Sequence, residues 1–298
     1  CPQYIFSLFG TFRAGGTVVQ VNPMYVEREI DYILNDSDAE VMVVLSDLYP
    51  RVNSVRSKTS LKKVIVVRLQ PNAEVELQEG DVFFEDFLAE AHPAAPKVDF
   101  TPEEDIAVLQ YTGGTTGVSK GVMLTHLNLI ANIEQLYDFM FRASGEPPAN
   151  AKVLNVLPMF HIFSLTCVNF LSIRFGGNQI MLPRFDMQEV LETIKREEPY
   201  QFAGVPTMYV GFNTVGQYEA FGLDKITRYV SGGSSLPVEA LEKFEAGANV
   251  QLCEGYGLSE ASPVTHFNPS FRERKVGSIG IPLPSTEVKV VRQTDDGE

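Results

Sequence analysis

Cysteine is scarce in this chain. Its three cysteines, Cys1, Cys167 and Cys253, are odd in number and far apart. That spacing provides neither a disulfide framework nor a metal site and suits the reduced thiols of a cytoplasmic protein. Long apolar runs are also missing: no stretch reaches the roughly 18 consecutive apolar residues of a transmembrane segment, although peripheral attachment to a membrane is left open. Basic residues are outnumbered, 24 against 38 acidic ones, for a formal net charge of −14. This argues against nucleic acid and against anionic membrane surfaces as general partners, but not against a nucleotide, which a local cluster of N–H groups can bind. Internal repeats and low-complexity segments are absent. There is no initiating methionine, and Cys1 leads straight into a helical pattern. At the other end, Thr294-Asp-Asp-Gly-Glu298 is a turn with no strand returning from it. Both ends read as cuts, so the chain is expected to be a fragment.

What is present is ordinary for a soluble globular protein: 298 residues, 44% hydrophobic and 21% charged, enough for one large α/β unit or two compact ones. Apolar runs of strand type at residues 17–21, 40–45, 63–68, 105–110, 152–157, 178–182, 200–205, 227–230 and 250–253 alternate with helical periodicity at 3–13, 27–35, 81–91, 126–141, 160–175, 186–198 and 237–246. Asp186 is placed to cap its helix, and Pro206 to open another in its first turn. The β-branched runs suit mostly parallel sheets layered with helices. The fold class is therefore α/β with two lobes. Residues 1–97 form the first lobe and a linker, and 98–269 the second. Residues 270–298 begin a small β-rich segment, in which 287–292 is a further strand.

The stretch with most chemical content is Tyr111-Thr-Gly-Gly-Thr-Thr-Gly-Val-Ser-Lys-Gly121. Gly113, Gly114 and Gly117 let the backbone take positive φ and approach an anion closely. Thr112, Thr115, Thr116 and Ser119 add hydroxyl donors, Lys120 adds a cation, and successive N–H groups can form an anion nest. This is not a Walker loop, because Lys120 follows Ser119 and precedes Gly121 instead of standing between Gly and Ser/Thr. A second stretch, Glu254-Gly-Tyr-Gly-Leu-Ser-Glu260, follows the strand at 250–253. Tyr256 can stack on a purine between Gly255 and Gly257, Ser259 offers a hydroxyl to a phosphate, and Glu260 offers a carboxylate to Mg²⁺.

The two stretches, in this order, resemble the adenylate-forming superfamily of acyl-CoA synthetases, luciferases and peptide-synthetase adenylation domains, most nearly the long-chain fatty acid–CoA ligases. The resemblance covers nearly the whole chain. It implies that the first loop clasps the β- and γ-phosphates of ATP, with Thr115 and Lys120 acting in catalysis. It further implies that Tyr256 contacts adenine, that Glu254 and Ser259 belong to the nucleotide site, and that Glu260 holds the metal. The turn Ser231-Gly-Gly-Ser-Ser235 matches one that lines the adenine pocket, here through Gly233, Ser234 and Ser235. His161, in Pro158-Met-Phe-His-Ile-Phe163, matches a histidine near the substrate carboxylate. Residues 277–284 resemble scaffold beneath the pocket. The family's ribose-binding Asp, hinge and small C-terminal domain have no match in this sequence, which implies that the chain is a large N-terminal domain and a poor catalyst alone.

The implied reaction joins a carboxylate to ATP, giving acyl-AMP and pyrophosphate, and then transfers the acyl group to CoA. The expected ligands are ATP, Mg²⁺, CoA and the acid; a homodimer is left open. An amino-acid activator needs an acid to pair the substrate ammonium, yet residues 147–185 contain none. Gly204, Val205, Pro206 and Thr207, at a strand end, are expected to line an acyl pocket, so a fatty or other hydrophobic acid fits better. The alternatives are an enzyme for aryl or other carboxylates and a noncatalytic nucleotide- or acyl-binding module. A P-loop-like NTPase is a further rival.

Overall fold

The computed structural model describes residues 1–70, 74–92, 94, 96–113, 118–141 and 145–292. The chain divides into two compact units, Cys1–Leu127 and Asn128–Glu298.

In the first unit, α1 (Pro2–Arg13) opens with proline in its first turn, where the missing N–H costs nothing. It is followed by β1 (Val18–Val19), α2 (Glu27–Asp36), β2 (Val41–Leu45), α3 (Tyr49–Arg56), β3 (Lys63–Val67), β4 (Val82–Phe83) and α4 (Phe84–Ala89). Strands β2, β3 and β4 form a parallel sheet in that order. The period of two along β3 sends Val64 and Val66 into a cluster with Ile30, Leu34 and Val52. Ile65 and Val67 join Phe84 in another, so both faces of the strand are covered. The region at 81–91, expected as one helix, instead begins with β4.

Strands β5 (Ile106–Thr112) and β6 (Lys120–Thr125) form an antiparallel pair, and β1 lies beside β5 in parallel with Val18 opposite Val108. The phosphate-loop region therefore belongs to the first unit. The sequence pattern puts residues 98–269 in the second lobe. Pairing between strands so distant in sequence, which local pattern does not record, moves the division to 127/128.

Helix α5 (His126–Phe141) runs into the second unit. There follow β7 (Lys152–Asn155), α6 (Ile162–Ser164), a π-helical stretch Leu165–Phe170, α7 (Leu171–Arg174), β8 (Asn178–Met181), α8 (Met187–Glu197), β9 (Gln201–Gly204) and α9 (Pro206–Val215). The unit continues with β10 (Arg228–Ser231), α10 (Val238–Ala248), β11 (Leu252–Gly257), β12 (Val264–Phe267) and β13 (Ile281–Pro282). Asp186 caps α8, its Oδ1 accepting from the Glu189 N–H at 3.0 Å, and Pro206 opens α9, both as expected. The strands form one sheet ordered β13-β12-β11-β10-β9-β7-β8. It is parallel from β8 to β11 and antiparallel where β12 and β13 join.

Helices cover both faces of this sheet, as neighbours on β9 show. Gln201 donates to the Cys167 carbonyl of the π-helical stretch. Phe202, pointing the other way, packs edge-on against Tyr209 and Phe212 of α9. With Tyr229 and Phe244 these rings form a fully buried aromatic core, each side chain stabilising the fold by about 1.5–3 kcal/mol of burial. The tyrosine hydroxyls are satisfied by the Val230 and Leu223 carbonyls, both at 2.7 Å. Residues 287–292, expected as a strand, form none, because no described strand lies beside them to pair with. Among the described residues, no helix is long and apolar enough to cross a membrane.

Candidate functional site

Two sets of sequence-predicted residues are described, one in each unit. In the first unit, Thr112 ends β5 and Lys120 begins β6, and the two lie opposite each other in the antiparallel register. The loop thus bridges a hairpin, whereas a Walker loop bridges a strand and a helix. Ser119 donates its hydroxyl to the Thr112 carbonyl at 2.7 Å, and the Tyr32 hydroxyl of α2 donates to the Ser119 carbonyl at 2.9 Å. Tyr111 donates to Asp36 at 2.6 Å; burial, and then this carboxylate, push its phenol well above the usual range. Gly113 and Lys120 are exposed. The central residues Gly114, Thr115, Thr116 and Gly117 lie outside the described residues.

The second unit has a cavity of about 170 Å³ whose walls include His161, Phe163, Gly233, Tyr256, Ser259 and Phe267. Four of these were singled out in the sequence, and they come from three separate segments. His161 ends the β7-to-α6 connection, where its Nδ1 accepts from the Phe163 N–H at 3.2 Å. That bond leaves Nε2 to carry the proton of the neutral ring, as a donor for an incoming oxygen. The residue has solvent-accessible surface, yet enough protein crowds it for desolvation to lower its pKa. The imidazole is therefore neutral at neutral pH.

Gly232 and Gly233 turn the chain after β10. A Cβ on Gly232 would sit 3.0 Å from the Phe163 ring, and Gly233 has φ +83°. Ser234 and Ser235 are exposed on this turn and are not part of the cavity wall. Glu254 on β11 faces the same turn, its Oε1 accepting from the Leu236 N–H at 3.4 Å, and burial raises its carboxyl pKa. Gly204, Val205, Pro206 and Thr207 form the β9–α9 junction. Gly204 accepts from the Gly232 N–H at 3.2 Å, but none of the four lines the cavity.

The sequence ended the strand before Tyr256 at residue 253; the structure carries β11 through to Gly257. Tyr256 lies opposite His266 of β12, with ring centroids 6.1 Å apart, and remains 42% exposed, a face free for stacking. The flanking glycines also have a role within the chain. A Cβ on Gly257 would lie 2.3 Å from the Pro263 carbonyl oxygen, and one on Gly255 would lie 3.1 Å from the Phe267 ring. Both make room for neighbouring parts of the chain. Ser259 and Glu260 occupy the 3₁₀ turn Ser259–Ala261, and the Glu260 side chain is exposed.

Cys167, Phe267 and His266, on or beside the cavity, escaped the sequence reading. Cys167 read as an ordinary reduced thiol, and the β12 residues joined no motif. Cys167 is buried, which pushes its thiol far above the usual range and removes it as a nucleophile. His126 makes edge contacts with Phe12 and Phe100, a packing role. Residues 277–284 run into β13, which pairs with β12 behind the cavity. A second hollow, beside Arg228, holds about 30 Å³, room for little more than a water molecule.

Residues 1–298 match the AMP-binding enzyme family. The long-chain-fatty-acid–CoA ligase of Bacillus subtilis is 39% identical over 97% of this chain and 55% of its own length. That of Salmonella typhimurium is 34% identical over 99% of the chain and 56% of its own length. The crystal structure of a long-chain-fatty-acid–CoA ligase from Archaeoglobus fulgidus superposes with a TM-score of 0.84 at 28% identity, covering 100% of this chain and 58% of that one. The chain spans a little over half the length of these relatives. With its α/β fold and the full-length family match, the chain belongs to the AMP-binding enzymes.

Proposed function

We propose that the protein containing this chain activates a hydrophobic carboxylic acid with ATP, forming acyl-AMP and pyrophosphate, and then passes the acyl group to CoA. The observation that carries this reading is the cavity where His161, Gly233, Tyr256 and Ser259 converge from three sequence-distant segments. Tyr256 offers an aromatic face to adenine, Ser259 a hydroxyl to the α-phosphate, and neutral His161 an N–H to a carboxylate oxygen. Thr112, Gly113 and Lys120, with the loop they enclose, are the phosphate-binding residues of the proposal. Gly204, Val205, Pro206 and Thr207 are the acyl-lining residues of the proposal.

The cavity is smaller than the roughly 300–1,000 Å³ of typical ligand pockets, so it holds one part of an adenylate. Its wall includes Phe163, Val264 and Phe267 and, among the described residues, contains no Asp or Glu. A substrate ammonium would go unpaired there at a cost of several kcal/mol, whereas an apolar acyl group would not. The fatty acid–CoA ligases among the relatives agree with this choice.

Among the described residues no cluster of three His, Cys, Asp or Glu could cage a metal. Mg²⁺ commonly needs only one or two carboxylates together with substrate phosphates, and the exposed Glu260 suits that part. Bound there, Mg²⁺ would neutralise charge developing on the phosphates. Roughly half of each relative has no counterpart in these 298 residues, so the isolated chain is proposed to bind adenylate and to turn over poorly. The test is product analysis with ATP, a long-chain acid and CoA. AMP and pyrophosphate support the reading, ADP and phosphate overturn it, and a Glu260→Gln protein that binds ATP without turnover separates an enzyme from a binding module.

A further inference from the structure

Residues 258–263 form a closed loop carrying Ser259 and Glu260. Leu258 N–H donates to the Pro263 carbonyl at 2.9 Å, and Ala261 N–H returns to the Leu258 carbonyl at 2.9 Å. The loop leaves through Ser262, a non-glycine residue at φ +77°, a left-handed conformation that an L-residue keeps only when its surroundings enforce it. Two buried side chains from elsewhere in the unit provide that enforcement. Thr166, in the π-helical stretch and fully buried, donates its hydroxyl to the Ser262 carbonyl at 2.8 Å. Asn132 of α5, 3% exposed, bonds both backbone groups of Val264. Its Nδ2 donates to the Val264 carbonyl at 2.7 Å, and its Oδ1 accepts from the Val264 N–H at 3.0 Å.

We infer that Thr166 and Asn132 are positioning residues for the Glu260 turn, holding its carboxylate where a metal–nucleotide complex can use it. Neither residue belongs to a motif that marks the site, and Thr166 does not line the cavity. The inference rests on the reading of Glu260 as a metal carboxylate. The physical argument is that hydrogen bonds to buried carbonyls are costly to lose, because no water replaces the donor. Without Thr166 Oγ1, Ser262 has reason to abandon its left-handed conformation, and the turn moves with it. π-Helical stretches are uncommon and are often found at functional sites; this one brings a threonine hydroxyl to the turn.

The test measures how much Mg²⁺ improves the affinity of the full natural protein for a non-hydrolysable ATP analogue, as the ratio of Kd without and with the metal, by calorimetry. A general loss of structure weakens both affinities together and leaves the ratio alone. In Thr166→Val, which removes only the hydroxyl, the ratio is expected to fall on the order of three- to tenfold, and Thr166→Ser should restore it. A ratio unchanged in Thr166→Val overturns the inference. If that variant does not fold, Asn132→Asp, which keeps the acceptor but loses the donor, must lower the ratio in its place, and an unchanged ratio there overturns the inference equally. Glu260→Gln separates the two levels. If it keeps the full Mg²⁺ gain, the reading of Glu260 itself fails. If it loses the gain while Thr166→Val keeps it, only the positioning inference fails.

Discussion

Lys120 stands directly opposite Thr112 across the β5–β6 register, so the cation at the loop's exit is fixed against the hydroxyl residue at its entrance. Paired strands are about 5 Å apart, which brings a charged and a neutral donor to the same end of one hairpin. Lys120 is exposed, so its replacement should not disturb the fold. On the proposed phosphate-binding role of Lys120, Lys120→Ala removes a hydrogen bond to a charged group, about 1.5–3 kcal/mol, and should lower kcat/KM for ATP by roughly ten- to a hundredfold. Thermal unfolding should shift little. Pyrophosphate exchange and a melt, run on the same preparation, check both halves.

His161 makes stability depend on pH in a defined direction. Desolvation lowers its folded-state pKa from 6.5, so between that lowered value and 6.5 the unfolded chain binds more protons than the folded one. Stability then rises with pH through this window. The contribution is constant above 6.5, and stability is lost as pH falls below 6.5 toward the folded value. Denaturant midpoints should therefore decline on acidification through this range, and His161→Gln should flatten the decline. A variant as acid-sensitive as the wild type would contradict the assignment.

Gly257 and Gly255 look equivalent in sequence, but their surroundings differ. A methyl group on Gly257 meets a backbone oxygen at 2.3 Å, and one on Gly255 meets a phenyl ring at 3.1 Å. A ring can swing aside; a carbonyl inside a closed loop cannot. Gly257→Ala should therefore destabilise the protein by about 1–3 kcal/mol and weaken adenylate-analogue binding, since both Tyr256 and the Glu260 turn must shift. Gly255→Ala should cost less. Urea melts and calorimetry on the pair decide the ordering.

What the sequence shows, and what it conceals, follow from the range of the interactions. Local signals were legible: Asp186 caps α8, Pro206 opens α9, and β-branched runs mark β2 and β3. Glycine-hydroxyl stretches marked the segments that supply Gly233, Tyr256 and Ser259 to the cavity wall, and the segment 158–163 supplies His161. What remained hidden depends on partners far along the chain. The parallel pairing of β1 with β5 places the phosphate-loop region in the first unit. The antiparallel partner β12 extends β11 through Tyr256. The bonds from Asn132 to Val264 span 132 residues, and no periodicity announces such a contact. Conversely, the β-branched residues 287–292 satisfy strand propensity without a partner, and no strand results.

Asp81 is the clearest buried charge of this kind in the first unit. Its side chain has no exposed surface, and its Oδ2 accepts from the Tyr49 hydroxyl and from Arg56 Nη1, both at 2.6 Å. Its Oδ1 accepts from the Val64 N–H of β3 at 2.8 Å. It thus ties α3 to the sheet at the point where β4 begins. Burial alone would raise its pKa, but the bonds from Arg56, Tyr49 and Val64 outweigh burial and hold the carboxyl below the usual value of 3.8. A depressed carboxyl stabilises the fold fully above its unfolded pKa and loses that contribution as pH falls through the folded value. Asp81→Asn keeps the shape but leaves the Arg56 charge, only 15% exposed, without its partner. Breaking a buried pair in this way costs about 3–5 kcal/mol. The variant should unfold at markedly lower urea and lose the part of the acid-induced destabilisation below about pH 4 that this carboxylate supplies. A variant with wild-type stability at pH 7 would mean that the junction needs neither the charge nor the second carboxylate oxygen.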